Sequence, residues 1–188
     1  GIILVRVVLD PYWFLMSDWF FIYLVRQGYR LEDTLAGFWI PFLAADLGNF
    51  FGGGLSSWFI RRGVPVLAAR RRAFLLCAPG MLAMAVVTQV ASFPLLVACF
   101  AVAMFCYAAC ATIYLVLPSD LYPSHSVASV SGLSGTGAGI GTIVSTFIIG
   151  RVTDATQSFT PIFLGASLAP VFAVVLLLWL VRREVRVR

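Results

Sequence analysis

Lysine is absent from the 188 residues, histidine occurs once, as His125, and charged side chains of all kinds amount to 11%, against about 25% in an average soluble domain. With one imidazole and no ammonium side chain, the sequence offers no Ser/His/Asp set, no paired acid and base and no cluster of metal ligands. Enzyme chemistry, metal and cofactor are therefore not expected. His125 reads as a solvated loop residue. The four cysteines, Cys77, Cys99, Cys106 and Cys110, fall inside apolar stretches, where the thiol acts as a small hydrophobe, so neither a disulfide framework nor a zinc site is read. The Gly-rich run 132–141 lacks both G-x-G-x-x-G and a Walker-type lysine, and nothing before it reads as a strand, which excludes nucleotide binding. Alternating ten-residue strands are missing too, so a β-barrel is excluded.

What is present is apolar. Hydrophobic residues make up 61% of the chain and the mean hydropathy is +0.99. The charges sit in short clusters between apolar runs long enough for a bilayer core of about 30 Å. Six transmembrane helices are predicted, over residues 7–25, 35–60, 73–91, 95–117, 127–150 and 161–181, with Pro79-Gly80 kinking the third. The fold class is all-α integral membrane. The chain opens on Gly1 with neither Met nor a leader, and the expectation is a fragment.

All thirteen basic residues are Arg, and the formal net charge is +5. Because they lie at the ends of apolar runs, they read as loop anchors rather than a nucleic-acid surface. Six spans alternate sides, which puts Arg6, Arg61, Arg62, Arg70, Arg71, Arg72, Arg182, Arg183, Arg186 and Arg188 on one face and only Arg26, Arg30 and Arg151 on the other. The positive-inside rule then makes both chain ends cytoplasmic.

A carboxylate near the bilayer centre costs several kcal/mol unless it meets a partner or a cavity, so the search for function starts at Asp10, Asp18 and Asp46. Asp10 reads as a helix-end cap or as the i,i+4 partner of Arg6. Asp18 has no local partner and shares a polar stripe with Asp10 and Ser17, which makes Asp18 and Ser17 candidates for a substrate or proton pathway. Asp46, Asn49, Gly53, Ser56 and Ser57 recur at helical spacing and predict a second polar face, either a pathway or a packing face. On the fourth span Cys99, Ala103, Cys106, Cys110 and Tyr114 share one side, a packing seam or a cavity wall, and Tyr114 is a further candidate for the pathway. Gly135 with Gly139, and Gly137 with Gly141, have the small-xxx-small spacing of close helix contacts.

Three stretches carry a family resemblance: Asp10-Pro11-Tyr12-Trp13; Ala45-Asp46-Leu47-Gly48-Asn49-Phe50-Phe51-Gly52-Gly53-Gly54-Leu55-Ser56-Ser57 followed by Arg61-Arg62-Gly63; and Ser119-Asp120-Leu121-Tyr122-Pro123. Over essentially its whole length the chain resembles the C-terminal half of a major facilitator superfamily transporter of the anion:cation symporter type (hexuronate, galactonate, glucarate). It departs from that pattern at Ile113, where members tend to carry Asn, and at Asp18, where sugar-acid relatives are apolar. The resemblance implies half of a twelve-helix carrier in a bacterial inner membrane, built from inverted three-helix repeats. It also implies symport of a small organic carboxylate with protons by alternating access, and a partner N-terminal half that supplies most of the anion-binding and proton-coupling residues. Ser57 stands where the family's loop motif often has Asp, so Asp120 is expected to pair with Arg61 or Arg62 as a cytoplasmic gate when the carrier is outward-open. The competing reading is a truncated remnant or scaffold that transports nothing.

Overall fold

A computed structural model describes residues 1–180, with the backbone alone for 31–36 and 38; the basic residues Arg182, Arg183, Arg186 and Arg188 lie outside the described residues. Among the described residues every regular element is a helix. The first rod consists of α1 (Ile2–Phe14), a π-helical turn (Leu15–Trp19) and α2 (Phe20–Arg26). α3 (Leu31–Arg61) is the second. The third is α4 (Val66–Cys77), a 3-10 segment (Ala78–Ala83) and α5 (Met84–Val87), and it is followed by α6 (Phe93–Leu121), α7 (Ser124–Thr156) and α8 (Thr160–Leu180).

Each predicted span falls on one of these rods, but only α6, α7 and α8 are single helices long and apolar enough to cross a membrane, among the described residues. The first and third rods miss that standard because they are interrupted, by the π turn and by the 3-10 segment that carries Pro79 and Gly80. α3 is long but diluted by Asp46, Asn49 and five glycines. Several predicted loops are helical. The connector before the third span belongs to α4, which takes in Arg70 to Arg72, and Arg151 and Asp154 extend α7. His125 sits exposed in the first turn of α7 rather than in a loop. Gly63 ends α3 at φ 83°, a left-handed backbone that suits Gly, and its N–H donates to the Ile60 carbonyl at 2.9 Å.

The two most extensive interfaces are α3 with α6 and α1 with α7. The first rod of each set of three thus packs on the second rod of the other set. Both contacts rest on glycine. A Cβ on Gly48 or Gly52 would overlap the Phe105 or Ala109 carbonyl oxygen of α6, and one on Gly141 would lie 2.6 Å from the Val7 carbonyl oxygen of α1. Gly137 meets Ile3, whereas Gly139 faces open space, so only one of the two expected glycine pairs lies in the contact with α1. The Gly48 and Gly52 pair is a contact that the sequence reading did not single out.

An aromatic cluster fills the end opposite the Arg-rich loops: Phe20 lies 4.1 Å from Phe100 and Tyr23 5.0 Å from Phe163, between ring centroids. The outer surface is strongly apolar, with Phe50 at 80% and Ile143 at 72% exposure, which suits a membrane protein and not a soluble monomer. The chain is therefore an all-helical membrane protein. Gly52→Leu should abolish the α3 and α6 packing and lower stability by about 3 kcal/mol or more. Gly139→Ala should leave the thermal unfolding temperature in detergent unchanged or slightly raised.

Candidate functional site

Arg6 and Asp10 lie one turn apart on α1, close enough for a double contact: Nε and Nη2 of Arg6 donate to Asp10 Oδ2 at 3.2 and 2.9 Å. The third nitrogen, Nη1, donates to the Ser134 hydroxyl of α7 at 3.1 Å. The other carboxylate oxygen of Asp10 accepts a 2.6 Å bond from the Tyr114 hydroxyl of α6, which lies 3.0 Å from the Tyr107 hydroxyl. The Tyr107 ring stacks between Tyr12 at 5.8 Å and Trp13 at 5.7 Å. Of the two readings of Asp10, the ion pair with Arg6 is the one the structure holds. Tyr114, expected on a pathway, is buried as the donor that completes this network. The network joins three helices, and every side-chain nitrogen of Arg6 and oxygen of Asp10 has a partner, as an apolar interior demands.

Asp18 lies in the π turn and is exposed, with the Ser17 hydroxyl 3.0 Å from its Oδ1. A π turn takes up about one residue more than an α turn. Asp18, eight residues after Asp10, therefore falls close to where a seventh would, two turns along on the same face. The predicted polar stripe of α1 is kept in register by that insertion.

The predicted stripe of α3 divides. Asp46, Asn49 and Ser57 are exposed, while Ser56 is buried and accepts a 2.6 Å bond from Arg70 Nη1. Trp13 of α1 meets Phe42 at 6.0 Å between ring centroids. Because Phe42, Asp46, Asn49 and Gly53 share one helical stripe, the open polar groups lie on the side of α3 that turns toward α1. Thr112 of α6 closes the floor: its hydroxyl donates to Asn49 Oδ1 at 2.9 Å. Thr112 and Tyr107 were not singled out from sequence.

At the Arg-rich end, Asp120 pairs with Arg70, Nε to Oδ2 at 2.9 Å, and not with Arg61 or Arg62. Arg62 instead lies over the Trp58 ring at 3.8 Å. The early start of α4 explains the change of partner, because it carries Arg70 onto the face that meets α6. At the other end Arg26 covers Phe159 and the Tyr29 hydroxyl donates to the Ala91 carbonyl at 3.4 Å, so alternate loops gather at opposite ends. Cys77 and Cys110 are buried and Cys99 and Cys106 half-buried, all as free thiols in the helix seam. Among the described residues no group of three or more His, Cys, Asp or Glu could hold a metal ion.

Removing one partner strands the other. Arg6→Met should destabilise by about 3 kcal/mol in detergent unfolding, and adding Asp10→Leu should recover most of the loss.

No protein-family model matches the chain. It is 29% identical over 170 residues to the hexuronate transporter of Escherichia coli K12, a match that covers 87% of this chain and 38% of that protein. The hexuronate transporter of Escherichia coli O157:H7 gives the same values. The chain thus spans well under half the length of the curated relatives it matches, and those relatives are transporters, not enzymes.

Proposed function

We propose that this chain forms the C-terminal six-helix half of a major facilitator type secondary transporter in a bacterial inner membrane. It moves a small organic anion such as a sugar acid, together with protons, by alternating access. The observation that carries the reading is the likeness to hexuronate transporters over 170 residues. The open polar groups of the π turn and of α3 support it, because polar groups facing hydrocarbon are costly while polar groups facing a second bundle form a cavity. Asp18, Ser17, Asp46 and Asn49 then line the pathway, and Tyr114 acts behind it by holding Asp10. The Arg-rich end faces the cytoplasm, with both chain ends on that side. The absent N-terminal half completes the cavity, so this chain alone accumulates no substrate.

The test is uptake of a labelled hexuronate into vesicles. Full-length carrier should show uptake that an imposed proton gradient stimulates, and the 188-residue chain alone should show none. Gradient-driven uptake by the chain alone, or a full-length carrier indifferent to the gradient, would overturn the proposal.

The Arg70 and Asp120 pair, with Ser56, is the gate of this half at the cytoplasmic end. A partly exposed pair contributes about 0–1 kcal/mol, which still moves two nearly equal states several-fold. Asp120→Asn should increase labelling of cysteines placed in the cytoplasmic cavity, and exchanging the charges, Arg70→Asp with Asp120→Arg, should restore part of the original pattern.

A further inference from the structure

The open face of this half carries acids and hydrogen-bonding groups but no cation. Residues 7–25, 31–60, 93–121 and 124–150 contain neither Lys nor Arg. Arg6, at the end of α1, is committed to Asp10 and Ser134. Asp18 and Asp46 are both exposed. A face with two carboxylates and no positive charge repels the carboxylate of an organic anion. It can still take the uncharged part.

The pair best placed for that is Asn49 with Thr112. The Thr112 hydroxyl lies 2.9 Å from Asn49 Oδ1, 3.1 Å from the Ala108 carbonyl and 3.4 Å from the Asn49 carbonyl, and its methyl group rests against Gly53. With its oxygen bonded to Thr112, the exposed Asn49 side chain keeps an NH2 group that has no hydrogen-bond partner among the described residues. Asp46, one turn earlier on the same stripe, offers only acceptors. A donor and an acceptor about one turn apart match adjacent hydroxyls of a polyol, each of which can accept from one side chain and donate to the other.

Resting on the transport reading above, we infer that Asp46 and Asn49, with Thr112 as the positioning residue, form a subsite for the hydroxylated end of the cargo. The carboxylate is then held by the other half. This assigns an orientation to the bound molecule, with its charged end directed away from α3.

The test is competition for labelled hexuronate uptake by full-length carrier, with unlabelled hexuronate and with tetrahydropyran-2-carboxylate, which keeps the ring and the carboxylate but lacks the hydroxyls. Thr112→Val, nearly the same shape, should raise KM for hexuronate roughly 3- to 10-fold with kcat within about twofold. Inhibition by the hydroxyl-free analogue and the unfolding temperature should both stay unchanged. Thr112→Ser should restore KM, and Asn49→Ala should match the valine variant. Wild-type uptake with a KM that Thr112→Val leaves unchanged, or with equal weakening of both compounds, overturns the subsite and leaves transport standing. Absence of wild-type uptake overturns the transport reading, and the subsite falls with it.

Discussion

The Asp10 carboxyl group sits inside an apolar helix bundle where a guanidinium and a phenol reach it from two directions. Arg6 supplies the charge from the same helix, and Tyr114 supplies a hydroxyl from α6. The arginine is then held in turn by Ser134 of α7. Hydrocarbon offers no water to replace a missing partner, so the position of α1 against α6 and α7 is dictated by polar geometry as much as by packing. Other features follow from that fixed point. Tyr107 is aligned by its bond to Tyr114 and by the rings of Tyr12 and Trp13, and Trp13 carries the contact on to Phe42 of α3.

Around this polar centre, tyrosines also tie the first rod to the third. The Tyr12 hydroxyl donates to the Met81 carbonyl at 2.9 Å and the Tyr23 hydroxyl to the Val87 carbonyl at 3.5 Å. Both acceptors lie where the third rod is irregular, in the 3-10 segment and at the end of α5. A break in the α-helical ladder exposes carbonyls that need donors, and Tyr provides one while keeping an apolar body in the core. The 3-10 segment that carries Pro79 and Gly80 is thus held from the side.

What could be read from the sequence was local or set by the bilayer. Apolar run length placed the helices, and the i,i+4 spacing offered Arg6 as a partner of Asp10. The bonds from Tyr114 and Ser134 cross 104 and 128 residues, a separation at which no spacing rule applies. Sequence proximity to the loop motif favoured Arg61 and Arg62 for Asp120, but which arginine reaches it depends on where α4 begins. Likewise two interleaved glycine pairs look alike in sequence, and only the direction of α1 makes Gly137 and Gly141 the contact and leaves Gly139 outside. Thr112 beside Asn49 escaped notice because a single threonine in an apolar helix carries no pattern.

The π turn at Leu15–Trp19 makes the first rod a helix with one residue more than its faces can share. The loss of one residue there would let the turn close as ordinary α-helix and leave the Asp10 and Tyr23 halves facing as they do now, because the π turn already absorbs that residue. It is a straightening of the turn with all its residues kept that would rotate one half against the other by about 100° and point either the charge network or the aromatic cluster the wrong way. The stretch that looks most like a blemish is therefore the place where the rod can lose a residue but cannot be made regular at its present length, and substitutions that favour an ideal α-helix there would give chains that are helical and unable to assemble.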